Sequence, residues 1–324
     1  VEWGVLEVGM GGRYDAARAM AQDVTVFTPI GFDHMQFLGN TLEAIATEKA
    51  QIMRPGSLAI CCPDQRPEVV TVLGHHAMKV GAALEVMSNL GFNWMFRGVP
   101  ADPGFDYHHG GWRVDDLTPG LRGRYQAANA ATALFTVQAM VGRGLLPRLP
   151  TDMEARSAIA SVTQRLHPGR YEVLCNEPPI WCEGGHNPMA LRTFVFNLTP
   201  LVGGRNGHLL LAFKADKDIT EAVAQLAPLQ PATVTCTQYL QHQPCPPEEV
   251  AAAVRANLPE ATVLVEPDLR GALQGVANRC AADPRGAYGL VIGSLYLAGD
   301  VRNLIMAGEV PGVPWRLAGQ GPGD

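Results

Sequence analysis

The segment LEVGMGGRYDAA, residues 6–17, joins the end of an apolar run to a glycine-rich turn and an acidic residue. The apolar run predicts a β-strand over 3–8, which Glu7 closes. The glycines that follow predict a turn whose backbone can approach a ligand closely, because glycine carries no Cβ. A lone acid at the end of a strand is also typical of an ordinary turn residue. The segment by itself therefore does not identify a functional site.

His34 and Lys49 lie in patterns that are equally unusual. His34 follows a second apolar run at 24–30, and Lys49 lies on the apolar face of a helix predicted over 41–53. A lone histidine is ordinarily a partly buried structural residue, and a lysine on an apolar face ordinarily extends its ammonium to water. If Lys49 cannot reach water, burial lowers its pKa and favours a neutral amine that can add carbon dioxide as a carbamate. The three side chains together indicate a divalent metal site beside a phosphate-handling centre.

Length and composition limit the classes of protein to consider. A chain of 324 residues predicts two domains, and a net charge of −6 without a basic cluster argues against nucleic acid as a partner. The absence of a long apolar run predicts no membrane span, and nothing at the start predicts a signal peptide. Seven cysteines without a CxxC pair predict free thiols in a reducing compartment, for which the cytoplasm is the default.

Strand and helix signals alternate along the chain, which predicts an α/β fold with parallel sheets. The stretch HPGR at 167–170 interrupts the alternation and predicts a linker. We therefore expect one domain over 1–166 and a second, Rossmann-like domain over 167–324.

Seven segments follow one another along the chain: LEVGMGGRYDAA, GFDHMQFLGNTLEAIATEKAQIMRPG, LRGRYQAANAATAL, HPGRYEVL, EGGHNP, KADKDI and VIGSLYLAGDVRNL. In this order they resemble the folylpolyglutamate synthase and dihydrofolate synthase family of the Mur ligase superfamily. The resemblance implies that 1–166 is the remainder of a Mur ligase central ATPase domain and that 167–324 is the Rossmann-like C-terminal domain. It also implies an ATP-dependent ligase that adds glutamate to a folate through an acyl phosphate.

The resemblance assigns metal ligands. Glu7, His34 and Lys49 match the family's magnesium ligands, and Lys49 matches the lysine that becomes carbamylated. Carboxylate and carbamate oxygens suit Mg²⁺, whereas the imidazole nitrogen is less usual but agrees with the family. The implied cofactors are ATP and Mg²⁺.

The resemblance also assigns residues to the nucleotide. Asn129 matches the adenine-side asparagine, with Gln126 as a weaker neighbour, and Arg170 follows the linker where it can reach ATP. Glu183 and His186 lie in a predicted strand-to-helix turn, where backbone N–H groups suit anions. Without the family, Asn129 would be interpreted as an ordinary helix-capping or solvent-facing amide, whereas an ordinary surface arginine and a functional residue would be equally good interpretations of Arg170.

Two motifs depart from the family pattern. DAAR stands at 15–18 where DATN is expected, and EGGHNP stands where DGAHNP is usual. Asp15 and Arg18 are assigned to the acceptor, and the extra charge of Arg18 leaves open an acceptor other than folate. Lys217 and Ser294 are assigned to the incoming amino acid, although a solvated Lys217 is nearly as good an interpretation.

The chain contains no G-x-x-x-x-G-K-[ST] motif, which the family carries upstream of the glutamate that Glu7 matches. We expect either a piece of a longer enzyme, favoured by the start at Val1, or a homologue that has lost the P-loop. The chain alone is expected to turn over ATP weakly or not at all. Besides a folate ligase and a ligase with another acceptor, a third interpretation is a non-catalytic binding or scaffold protein. We expect a monomer whose partners are small molecules.

Overall fold

The computed structural model describes residues 3–87, 96–97, 104–163 and 165–317. The chain divides into two compact units. The first comprises Val1–Arg97, Gly104–Thr118 and Gln126–Ile159, and the second comprises Gly98–Pro103, Pro119–Tyr125 and Ala160–Asp324. The domain limits expected from the sequence, at 166 and 167, stay a prediction.

The first unit contains a parallel sheet in the order β1-β2-β3. Its strands are β1 (Val24–Phe27), β2 (Leu58–Cys61) and β3 (Ala83–Val86), and the helices between them are α1 (Met35–Leu38), α2 (Leu42–Ala50) and α3 (Pro67–Val80). The central strand β2 is buried along its whole length, as its unbroken apolar sequence predicts. Its alternate residues face two cores, because side chains alternate across a strand.

The same unit contains a second, antiparallel sheet in the order β4-β5-β6. It is built from β4 (Phe96–Arg97), β5 (Gly104–His109) and β6 (Trp112–Leu117), and the helices α4 (Arg124–Gly142) and α5 (Asp152–Ser161) follow. At the start of α5, Thr151 and Glu154 exchange hydrogen bonds as a capping box: the Thr151 N–H donates to the Glu154 carboxylate at 2.7 Å, and the Glu154 N–H donates to Thr151 Oγ1 at 3.3 Å.

The strand predicted over 3–8 is wrong. This stretch is neither helix nor strand, and Val5 is fully exposed while Leu6 is 57% exposed. An apolar run becomes a strand only when a neighbour supplies its ladder of hydrogen bonds, and within the described residues β1 pairs with β2 alone. A short 3₁₀ helix, Ala16–Ala19, follows.

The second unit contains a six-stranded sheet in the order β11-β10-β9-β12-β8-β7. Its strands are β7 (Glu172–Asn176), β8 (Pro179–Glu183), β9 (Asn206–Leu211), β10 (Thr233–Cys236), β11 (Thr262–Val265) and β12 (Ala287–Ile292). Every adjacent pair is parallel except β7 with β8. The helices are α6 (Pro188–Val202), α7 (Ile219–Ala224), α8 (Pro247–Asn257), α9 (Leu269–Ala282) and α10 (Leu295–Met306).

Helices cover both faces of this sheet. The helices α6, α7 and α8 pack on one face, and α9 and α10 pack on the other. β12 lies between β8 and β9, but the helix that follows β12 packs on the opposite face from the helices that follow β8 and β9. The carboxyl ends of these neighbouring strands therefore form a topological switch point. Ligands bind at such switch points in open α/β sheets. The predicted α/β fold with parallel sheets is confirmed.

Two expectations from composition can be compared with the fold. All seven cysteines are buried and free, as predicted. Within the described ranges, no helix has the length and apolar character needed to cross a membrane.

Candidate functional site

Asp15 organises the glycine-rich turn of the first unit. Its carboxylate accepts backbone N–H bonds from Gly9 at 2.9 Å, Met10 at 3.0 Å and Ala17 at 2.9 Å. The bonds from Met10 and Ala17 are the main reason that the pKa of Asp15 is lowered, and the charge of Lys49 lowers it further. The side chain predicted to bind substrate therefore also shapes the turn.

Gly12 packs the glycine-rich turn against the end of helix α2. A Cβ added at this position would lie 2.5 Å from the Lys49 carbonyl oxygen and 2.9 Å from that of Glu48. The neighbouring Arg13 reinforces the contact with an ion pair to Glu48 at 3.0 Å. Only a residue without a side chain lets the turn and the lysine-bearing helix approach so closely.

Replacing Gly12 with alanine should separate the turn from α2. We expect a loss of about 1–3 kcal/mol in the free energy of unfolding, because the added methyl group meets backbone atoms that cannot rotate away. Denaturant titration measures this loss. Gly4→Ala is the matched control, since its Cβ would meet nothing within 4 Å; equal effects of the two substitutions would contradict the close packing of the turn on α2.

Lys49 is half-buried at the end of α2, whose apolar residues Leu42 and Ile45 are buried as the sequence predicted. Burial lowers the pKa of Lys49, while the charges of Asp33 and Asp15 act to raise it. Burial is the larger influence, so the balance favours the neutral form of the amine. A neutral amine is the form that carbamylation requires.

His34 begins helix α1 in a left-handed backbone conformation, with φ 51° and ψ 35°. Its backbone N–H donates to Asp33 Oδ1 at 2.8 Å, and its ring Nε2 lies 3.9 Å from the same oxygen. Histidine is among the few residues that adopt this conformation with any frequency. Asp33 was not among the predicted site residues, although its position beside His34 in the FDH sequence was the available signal.

Glu7 is exposed and lies outside any helix or strand. Among the residues that the structure describes, no three His, Cys, Asp or Glu side chains are grouped so as to hold a metal ion. The chemistry of the donors suits a dication: a carboxylate, an imidazole and a lysine whose lowered pKa favours carbamate formation. The metal site of Glu7, His34 and Lys49 stays a prediction.

Other predicted residues of the first unit lie on its surface. Asn129 is exposed on α4 and donates to Gln126 Oε1 at 3.1 Å, so the two predicted nucleotide contacts bind each other. Arg18 is exposed in the 3₁₀ helix, and its guanidinium donates to the Arg13 carbonyl at 3.1 Å. Their roles stay predictions.

In the second unit, the predicted residues lie at the carboxyl ends of the strands. His186 follows β8, and its ring Nδ1 lies 3.2 Å from the Gly184 carbonyl oxygen. Lys217 follows β9, and Ser294 follows β12 as the N-cap of α10, where its hydroxyl accepts the Tyr296 N–H at 3.1 Å. The topology therefore brings these three to the edge where ligands of such sheets bind.

Glu183 ends β8 and is only 5% exposed. Its Oε1 accepts the Gly185 N–H at 2.9 Å and lies 3.7 Å from Arg170 Nη1, while Oε2 accepts the Tyr171 N–H at 3.0 Å and the Tyr125 hydroxyl at 3.2 Å. Burial raises the pKa of Glu183, and the charge of Arg170 opposes that rise. Sequence reasoning missed Tyr125 because it lies 58 residues from Glu183.

Residues 1–137 match the family model described as the Mur ligase middle domain, which gives the class of this part of the chain. Dihydrofolate synthase/folylpolyglutamate synthase of Mycobacterium tuberculosis is 30% identical over 94% of this chain and 64% of the relative. A crystal structure of Mycobacterium tuberculosis folylpolyglutamate synthase complexed with ADP and AMPPCP has a TM-score of 0.81 at 27% identity, covering 95% of this chain and 68% of that chain. Over nearly its whole length the chain is similar to the dihydrofolate synthase/folylpolyglutamate synthase family, and the predicted family resemblance and fold are confirmed.

A second solved structure shows a similar likeness. It is a bifunctional folylpolyglutamate synthase/dihydrofolate synthase with Mn, AMPPNP and L-glutamate bound, with a TM-score of 0.71 at 25% identity, covering 92% of this chain and 66% of that chain. The chain thus spans about two thirds of the length of these proteins.

Proposed function

We propose that this chain forms part of an ATP- and Mg²⁺-dependent ligase that adds L-glutamate to a folate through an acyl phosphate. The observation that carries the proposal is the joint packing of the Asp15 turn, Gly12 and the Lys49 helix, in a chain similar to this family. The two similar solved structures contain ADP, AMPPCP, AMPPNP, Mn and L-glutamate between them, and these ligands support the same ligase chemistry.

In this proposal Glu7, His34 and a carbamylated Lys49 would hold the divalent cation. A bound dication would neutralise charge on the transferring phosphoryl group. The carbamate, whose oxygens would bind the cation, forms only after the Lys49 ammonium loses a proton. Burial of the amine favours that loss. Asp15 would keep the glycine-rich turn in shape beside it.

The remaining predicted residues would bind and orient the organic groups. Asn129, Arg170 and His186 would contact the nucleotide, and Lys217 and Ser294 would receive the carboxylates of glutamate. Enzymes that transfer phosphoryl groups accelerate the reaction mainly by positioning the reactants, because their side chains take little part in the covalent chemistry. The seven buried, free cysteines support a location in a reducing compartment such as the cytoplasm. We also expect the protein to be a monomer.

Arg18 motivates a second candidate with the same ligase chemistry and another carboxylate acceptor. Its exposed guanidinium adds positive charge near the turn that Asp15 organises. A folate would then bind less well than a more acidic acceptor. A homologue that binds these ligands without turnover is the third candidate.

A panel of acceptors tests the three candidates on the protein that carries this chain. Phosphate release from ATP should require Mg²⁺, glutamate and a folate together, and chelation of Mg²⁺ should stop it. Release with another carboxylate alone would favour the second candidate. Nucleotide binding without release under any combination would favour the third and overturn the ligase proposal.

A further inference from the structure

Arg170 lies in a turn with an unusual backbone, which we call the Arg170 turn (residues 169–171). Gly169 before it has φ 70°, and Tyr171 after it has φ 49°. A bulky residue such as tyrosine rarely adopts a left-handed conformation unless its surroundings hold it there. The turn therefore depends on contacts from outside its own three residues.

A buried carboxylate holds the beginning of the Arg170 turn. Glu172 is fully buried, and its Oε2 accepts the Gly169 N–H at 2.8 Å. Its other oxygen pairs with Arg302 on α10, which supplies the positive charge that a buried carboxylate needs. The Gly169 carbonyl in turn accepts the Gly184 N–H at 2.7 Å. Both backbone groups of Gly169 are thereby fixed.

A second buried carboxylate, Glu183, holds the end of the Arg170 turn. It accepts the Tyr171 N–H, and at the same time the Gly185 N–H and the Tyr125 hydroxyl. The Tyr171 ring packs edge-on against Phe194 at 4.8 Å between ring centroids. These contacts fix the backbone that follows Arg170 in its left-handed conformation.

The Arg170 side chain is 40% exposed, and its Nη1 lies 3.7 Å from Glu183 Oε1. By contrast, the Glu183 carboxylate is almost wholly enclosed, and both of its oxygens already accept hydrogen bonds. A carboxylate beside a triphosphate would also repel it. Arg170 is thus the member of the pair that suits an anionic ligand.

We propose that Glu183 and Glu172 are positioning residues that fix the backbone on either side of Arg170 and hold its guanidinium for a nucleotide. The proposal rests on the proposed function for its ligand and revises one prediction, since Glu183 then acts through Arg170 and not by touching the nucleotide. Glu183 stands where the family motif has aspartate. Its Oε2 accepts hydrogen bonds from Tyr171 and Tyr125 together.

Amide hydrogen exchange tests the positioning without any nucleotide. In Glu183→Gln, exchange of the Tyr171 and Gly185 amides should become at least about tenfold faster, because a charged acceptor of both bonds is lost. Tyr125→Phe removes only a hydroxyl and should give a smaller effect at the same amides. The exposed Glu260 provides the control Glu260→Gln, which should change neither amide. Unchanged exchange in both Glu183→Gln and Tyr125→Phe would overturn the proposal.

A double-mutant cycle on ATP binding, measured by calorimetry with Mg²⁺, tests whether Glu183 acts through Arg170. Arg170→Ala should weaken binding about 10–100-fold and Glu183→Gln about tenfold, and the double variant should be no weaker than Arg170→Ala. Multiplying effects would show a separate nucleotide contact of Glu183 and overturn the proposal. If Arg170→Ala binds ATP normally, the nucleotide role of Arg170 is wrong, whereas the exchange result still decides how Arg170 is held.

Discussion

Replacing Lys49 with alanine should abolish glutamate-dependent ATP hydrolysis by the protein that carries this chain. We expect a loss of at least about 10²–10³-fold, the usual cost of removing one group that stabilises charge in the transition state. Folding should survive, because burial already opposes the charged form of Lys49 and alanine is a good helix former. Phosphate release measures the loss, and a thermal melt should move by no more than about 4 °C.

The exposed Lys79 on α3 provides the matched control. Lys79→Ala also removes one positive charge from a helix of the first unit and should leave phosphate release unchanged. Normal release in Lys49→Ala would contradict the role of Lys49 in the metal site.

The carbamate can be sought directly with ¹³C-labelled bicarbonate. A carbamate signal should appear in the carbon NMR spectrum of the wild-type protein and be absent in Lys49→Ala. Because burial lowers the pKa of Lys49, its neutral amine is present at lower pH than that of an exposed lysine. The signal should therefore grow as the pH rises through this lowered pKa. Identical spectra of the two proteins would contradict carbamylation.

Replacing Gly293 with alanine should destabilise the protein more than Gly12→Ala does. Gly293 has φ 118°, a conformation that side chains rarely adopt, and a Cβ there would lie 2.6 Å from the Ala212 carbonyl oxygen. Strain and overlap together predict a loss of about 2–4 kcal/mol in the free energy of unfolding. Since Gly293 leads from β12 into Ser294, glutamate binding should weaken as well. Denaturant titration and glutamate binding measure the two losses.

Gly299→Ala is the control for this prediction, and its effect should have the opposite sign. Gly299 lies within α10, and a Cβ there would meet nothing within 4 Å. Alanine inside a helix is favoured over glycine by about 0.5–1 kcal/mol. A Gly293→Ala protein as stable as Gly299→Ala would contradict the strain and close approach inferred at Gly293.

Local pattern predicted most of the fold. The apolar run Leu58–Cys61 is observed as the buried strand β2, and Asn187-Pro188 begins α6 as its capping chemistry predicts. These features depend on residues close in sequence, whose spacing matches the period of a strand or a helix. The strand predicted over 3–8 also rested on apolar residues and was wrong, because a strand also needs a partner that its own sequence does not contain.

The candidate site was likewise predictable only in part. The sequence by itself determined the family resemblance, the α/β class, and the order of residues such as His34, Lys49 and Ser294 along it. Only the tertiary structure decided that Asp15 and Asp33 lie close enough to affect Lys49, and that Glu183 binds Tyr125 and faces Arg170. The physical reason is distance along the chain: periodicity and capping act over a few residues, whereas charge, burial and hydrogen bonding act between whichever side chains folding brings together.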